Sequence, residues 1–201
     1  ADELDTVKAG VVAAMARVIG QLMPHIRVPF GVNVLWDPYK SIDLAMATGA
    51  RFVRANVYVG VMQTESGIIQ GCAHAVQQEL KRLGAPEIEV WADIDVKHAA
   101  PLVERSIEEQ ADDATERAFA TALILSGPAT GAAANPAEVQ RLRDHNASVP
   151  IYIGSGANVT TIPTMPGATG FIVGTALKVD GIVTNPVDPT RVRAVIEAAA
   201  R

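Results

Sequence analysis

Residues 150–158, Pro150-Ile151-Tyr152-Ile153-Gly154-Ser155-Gly156-Ala157-Asn158, run from a short apolar, β-prone stretch directly into a glycine turn. The pattern recurs downstream at Phe171-Ile172-Val173-Gly174-Thr175-Ala176, and similar apolar runs precede it at Phe30–Leu35, Phe52–Tyr58, Ile88–Ile94 and Ala122–Leu125. Starts near 30, 52, 88, 122, 150 and 171 give intervals of 22, 36, 34, 28 and 21 residues. Each interval has room for a strand and a crossover helix and is too long for a hairpin. The expectation is an α/β chain built on a parallel sheet. Doubly wound sheets and (β/α) barrels share this rhythm, so spacing alone leaves both open.

The segments between the runs carry helix signals. Gly49 and Gly84 stand where C-caps belong, and Asn135-Pro136 and Asp188-Pro189 read as a cap followed by proline at the first helical position. Ala73, Val76, Leu80 and Leu83 recur at helical spacing, as do Ile107, Ala111, Ala114 and Ala118, while Val192, Val195 and Ile196 are expected to point inward from the last helix. Ahead of the first strand, Leu4, Val7, Val11, Met15, Val18, Ile19 and Leu22 form one apolar stripe. Nothing resembles a linker, so residues 1–201 read as a single domain.

Composition narrows the function classes. Hydrophobic residues make up 49% of the 201 and charged residues 19%, enough apolar surface for a folded core. The net charge is −5 and aromatics are 4%, which argues against a nucleic-acid partner, whether tracked by charge or by base stacking. Cys72 is the only cysteine, which excludes an intrachain disulfide and fits a reducing compartment. The acidic start Ala1-Asp2-Glu3-Leu4-Asp5 is unlike a signal peptide, and no run reaches the ~18 apolar residues of a membrane span. These features point to a cytoplasmic protein with no integral membrane segment.

Two constellations carry chemistry. The glycine turns Gly154-Ser155-Gly156 and Gly174-Thr175 follow the last two strands, where bare Cα atoms and exposed amides can cradle a phosphate. In Trp91-Ala92-Asp93-Ile94-Asp95-Val96-Lys97-His98, Asp93, Asp95 and Lys97 share strand parity and so one face, with His98 beside them. Paired carboxylates can divide acid and base roles or ligate Mg²⁺, and Lys97 can act as electrophile or phosphate partner. The competing reading is a layer of salt bridges plugging the sheet's interior, with Arg54 neutralising Asp93 or Asp95. Asn33, Arg54 and Asn56 add polar groups inside two other strands. Long segments after strands, Val59–Gly71, Ser126–Ala134 and Thr175–Val187, lie where ligands bind, and Ser126 and Thr130 are candidate substrate contacts. His25, His74 and His145 lie near helix ends and Cys72 has no base near it in sequence, so these read as structural.

Taken in order, Phe30-Gly31-Val32-Asn33-Val34-Leu35, Phe52-Val53-Arg54-Ala55-Asn56-Val57, Gly67-Ile68-Ile69-Gln70-Gly71, Ala92-Asp93-Ile94-Asp95-Val96-Lys97-His98-Ala99, Ser126-Gly127-Pro128-Ala129-Thr130-Gly131, Gly154-Ser155-Gly156 and Gly174-Thr175-Ala176-Leu177-Lys178-Val179-Asp180-Gly181 resemble the BtpA/SgcQ family. That resemblance implies a (β/α)8 TIM-type barrel related to the ribulose-phosphate-binding barrels. It also implies that the given residues are strands three to eight, with the first strand, first helix and second strand preceding residue 1. Asp95 stands where members commonly have His, and Gln70 where Glu is usual. One member of the family is associated with photosystem I, and others look like enzymes of sugar metabolism. The expectation is therefore a lyase or isomerase of a small phosphorylated metabolite such as a sugar phosphate, with self-association through open sheet edges. The alternatives are a non-catalytic biogenesis or stability factor for a membrane complex, and a metabolite sensor.

Overall fold

The computed structural model describes residues 7–35, 37–64, 67–94, 99–127 and 134–200. In chain order its elements are α1 (Ala9–Leu22), β1 (Gly31–Val32), α2 (Pro38–Thr48), β2 (Phe52–Ala55), β3 (Val61–Thr64), β4 (Gly67–Gln70), α3 (Ala73–Leu83), β5 (Glu89–Ile94), β6 (Ala100–Pro101), α4 (Ile107–Asp112), β7 (Ala122–Leu125), α5 (Pro136–His145), β8 (Ile151–Ile153), β9 (Gly170–Phe171) and α6 (Pro189–Ala199). Six strands pair in parallel in the order β1-β2-β5-β7-β8-β9 and curl into half a barrel. These are the six apolar runs of the sequence, each starting within one residue of its expected place.

Alternation along the strands separates two faces. Val53, Ala55, Val90, Ala92, Ile94, Leu123, Leu125, Ile151 and Ile153 are buried in one cluster with Ile42 and Leu44 of α2, Val76 and Leu80 of α3, Ile107 and Ala111 of α4, and Val139 and Leu142 of α5. The opposite face is the concave one, and it carries Phe52, Arg54, Trp91, Asp93, Tyr152 and Gly154. Burial of the apolar set drives the wrap of helices around the sheet, at about 25 cal/mol per Å² of apolar surface removed from water.

The helix punctuation lies where the sequence puts it. Gly49 and Gly84 close α2 and α3 with φ of 74° and 64°, a left-handed conformation in which a side chain would be strained. Asn135 and Asp188 cap α5 and α6, their side chains accepting from the N–H of Ala137 and Thr190. Ser106 and Glu109 form a reciprocal capping box at the start of α4, which continues through a π-helical turn over Asp113–Arg117.

Four features differ from the sequence reading. Val59–Gly71, read as a long loop, contains the hairpin β3–β4, which β6 extends into a three-stranded antiparallel sheet. Its support is a separate small cluster of Val57, Met62, Ile69 and Ala99, too short a pattern to stand out as alternation. The helix α1 packs through Val7, Val12, Met15, Ala16 and Ile19, whereas Val11, Val18 and Leu22 are about half exposed. With alanine and valine on every side of this helix, periodicity alone does not select the packed face. On α6, Val195 is buried and Ile196 is 62% exposed. Thr175–Val187 folds as two short 3-10 turns, Thr175–Leu177 and Val179–Gly181, clamped by a bridge between Lys178 and Val187.

Candidate functional site

The concave face is layered. Nearest the strand starts, the rings of Phe52, Trp91 and Tyr152 stack in a row, with centroids 3.7 and 4.2 Å apart. Small residues make room for the row. A Cβ on Gly31 would lie 2.1 Å from the Phe52 ring, and Ala122, opposite Trp91, lets the Tyr152 ring reach across. Burial, with the Glu89 carboxylate adding to it, pushes the Tyr152 phenol above its ordinary pKa.

Two residues further along the strands the face turns polar. Pairing of Arg54 with Trp91 and of Ala55 with Ala92 brings Asn56 level with Asp93. Arg54 donates from Nε to Asp93 Oδ1 and from Nη2 to Oδ2, both at 2.8 Å, and Asn56 Nδ2 donates to the same Oδ2 at 2.9 Å. Asn33 Nδ2 in turn donates to Asn56 Oδ1 at 2.9 Å. Four of the expected residues, Arg54 and Asp93 in β2 and β5 and Asn33 and Asn56 just past the ends of β1 and β2, therefore form one hydrogen-bonded chain, Asn33 to Asn56 to Asp93 to Arg54. Asp93 is 5% exposed, a burial that an ion pair satisfied at both oxygens permits.

Ser126, at the exit of β7, is buried next to this chain. A Cβ on Gly154 would meet Ser126 Oγ at 2.7 Å and Arg54 Nη2 at 3.4 Å, which places serine, guanidinium and glycine together. The expected phosphate residues converge as well. Gly154, Ser155, Gly156, Gly174 and Thr175 line one cleft of about 490 Å³ beyond the ends of β8 and β9. Gly156 has a φ of 69°, and its carbonyl accepts from Asn158 Nδ2 and Thr161 Oγ1, which fixes the first turn. Among the described residues, the N–H groups of Gly156, Thr175 and Ala176 have no acceptor. Backbone amides without an acceptor among the described residues, in turns that line one cleft, suit an anion.

The sequence reading missed Arg191, which lines the same cleft from the first turn of α6 and donates from Nη1 to Ala176 O at 3.4 Å. The helix start at Asp188-Pro189 was legible, and a cation three residues after the cap, opposite a glycine turn, was the available signal. Asp95, Lys97, His98 and Thr130 lie outside the described residues. As for Mg²⁺, both oxygens of Asp93 are engaged by Arg54 and Asn56, and the described residues hold no group of three side chains able to bind a metal. Asp93 is therefore committed to nitrogen donors rather than to that ion.

Other side chains fall into structural places. His145 Nε2 lies 2.8 Å from Asp112 Oδ1, joining α5 to α4. Cys72 precedes α3, its Sγ 3.3 Å from Val57 O, and burial pushes its thiol up to about 11. A second cleft, of about 540 Å³, opens between Tyr58, His74 and Gln77 on one side and Arg117 and Phe119 on the other.

Comparison with known proteins agrees with this architecture. The chain superposes on phosphoribosyl anthranilate isomerase from Thermus thermophilus with a TM-score of 0.56 over 92% of its own length and 78% of that chain, at 16% identity, a likeness of fold. It is 37% identical to the photosystem I biogenesis protein BtpA of Synechocystis, over 96% of this chain and 68% of the relative. It is 34% identical to the sgc region protein SgcQ of Escherichia coli, over 96% and 72% respectively. No helix among the described residues is long and apolar enough to cross a membrane. The sequence model of the BtpA family matches residues 4–201, and the chain belongs to that family.

Proposed function

We propose that this protein is a barrel enzyme, a lyase or isomerase, acting on a small phosphorylated metabolite such as a sugar phosphate. The observation that carries the reading is the one cleft shared by the two glycine turns and Arg191, with three amide N–H groups that have no acceptor among the described residues. A phosphate there would receive backbone donors from Gly156, Thr175 and Ala176, and charge from Arg191. Asn33, Arg54, Asn56, Ser126 and Thr130 would orient the rest of the molecule. Asp93 acts through Arg54, whose plane it fixes. Proton transfer falls to the groups that follow Asp93 in sequence, Asp95, Lys97 and His98. The cytoplasm is the matching location, and a second copy of the chain is a further candidate partner.

The test is thermal stability of the full-length protein against sugar phosphates and their unphosphorylated counterparts. A ligand at 100 times its dissociation constant stabilises by about 2.7 kcal/mol, or about 5–10 °C in Tm for a chain of this size. Stabilisation confined to phosphorylated compounds and lost in Arg191→Ala supports the reading, and an equal response to both classes overturns it. A second reading, a non-catalytic biogenesis factor, draws on the name of the Synechocystis relative and on the exposed Ile68, Leu102 and Val103 around the β3–β4–β6 sheet. Its signature is co-sedimentation with membranes and no ligand response. A metabolite sensor would show the ligand response without turnover.

A further inference from the structure

We propose that Ser126 and Arg54 form, across Gly154, a second subsite that takes the carbonyl oxygen of the phosphorylated metabolite. The inference deepens the reading above and rests on it for the anchoring phosphate. Ser126 is 3% exposed and its Oγ has no hydrogen-bond partner among the described residues, whereas Asn33, Asn56, Asp93 and Arg54 are all bonded to one another. A buried hydroxyl in that condition has lost its hydration with no return, a state that persists in native proteins where a site needs the group.

The surroundings specify the missing acceptor. A Cβ at Gly154 would stand 2.7 Å from Ser126 Oγ, 2.7 Å from Ile124 Cγ2 and 3.4 Å from Arg54 Nη2, so glycine at this position is what lets the hydroxyl and the guanidinium pack against the same backbone. Arg54 uses Nε and Nη2 on Asp93 and keeps its Nη1 donors. Because Asp93 neutralises Arg54, the subsite offers directed donors without net positive charge, which suits a neutral carbonyl oxygen better than a second anion. Gly154 also lines the glycine-bounded cleft, so the wall of the cleft proposed for the phosphate is the residue against which Ser126 and Arg54 pack.

The experiment measures binding of dihydroxyacetone phosphate, glycerol 3-phosphate, inorganic phosphate and hydroxyacetone to the full-length protein and to Ser126→Ala. Wild type is expected to prefer dihydroxyacetone phosphate over glycerol 3-phosphate by roughly tenfold, the value of one good hydrogen bond. Ser126→Ala reduces that preference to about twofold or less while leaving inorganic phosphate binding unchanged. The ligand-free variant melts about 2–4 °C higher, because an unsatisfied buried group has been removed. The same preference in both proteins, or a lower Tm for ligand-free Ser126→Ala, overturns the subsite. If inorganic phosphate fails to bind but hydroxyacetone binds in a Ser126-dependent way, the phosphate reading falls and the subsite stands; if neither binds, both fall.

Discussion

Arg54 grips Asp93 through two parallel hydrogen bonds of 2.8 Å, with the Asp93 side chain 4% exposed and that of Arg54 20%. Removing one partner of such a pair strands the other. Asp93→Asn keeps the shape but leaves the guanidinium without its counter-charge, and the expected loss is about 3–5 kcal/mol. The double variant Arg54→Met with Asp93→Leu strands no charge and should recover most of that loss. Urea unfolding of wild type, Asp93→Asn and the double variant checks this. A cost for Asp93→Asn below about 1 kcal/mol, the range of exposed pairs, would show that the pair does not organise the concave face.

The aromatic row beneath this pair makes Gly31 a packing requirement. A Cβ there would lie 2.1, 2.2 and 2.5 Å from three carbons of the Phe52 ring, and the ring cannot retreat because Trp91 is stacked on its other side. Gly31→Ala is expected to cost about 1–3 kcal/mol, the usual range for overpacking. Phe52→Leu in the same chain should return part of the loss, and Trp91 fluorescence should report the disturbed stack. Independent, additive effects of the two substitutions would contradict the close packing.

How much of this was legible in advance depends on which physical signal each element writes into the chain. The six parallel strands and the caps at Gly49, Gly84, Asn135 and Asp188 were readable, because buried runs and cap chemistry are local properties. The hairpin β3–β4 was not, since four-residue strands over a cluster of only four side chains leave no periodic trace. In the candidate site, parity placed Arg54, Asn56 and Asp93 on one face. Which oxygen each donor reaches depends on inter-strand register, which no single strand encodes. Arg191 escaped notice because its place in the cleft comes from the docking of α6 beside a turn sixteen residues upstream.

Phe119 offers a test of stored backbone strain. Its φ is 59° and its side chain is 66% exposed, so burial does not account for the left-handed conformation. The preceding carbonyl, of Ala118, accepts from both the Tyr58 hydroxyl and Gln77 Nε2, which pins the chain where the π-helical turn ends. Glycine adopts that conformation without a Cβ penalty, whereas alanine does not. Phe119→Gly should therefore be more stable than Phe119→Ala by about 1 kcal/mol in chemical denaturation. Equal stabilities, or a more stable alanine variant, would mean that the strain is absent in solution.

The neighbourhood of Tyr58 sets an alkaline limit on stability. Burial is the largest cause pushing the Tyr58 phenol from 10.0 up to about 12, with Cys72 adding to it and Gln77 opposing it. Burial likewise pushes the Cys72 thiol from 9.0 up to about 11. In both cases the folded chain holds the proton more tightly than the unfolded chain. The associated stability is fully present below pH 9, declines as the unfolded chain releases first the thiol and then the phenol proton, and is exhausted once pH passes through about 12. Each group contributes a slope of at most about 1.4 kcal/mol per pH unit within its own window. Urea midpoints measured from pH 8 to pH 11 should fall steadily for wild type. Cys72→Ala should flatten the early part of the decline, beginning near pH 9, and Tyr58→Phe the part above pH 10. A decline of the same shape in both variants would assign the alkaline sensitivity to other groups.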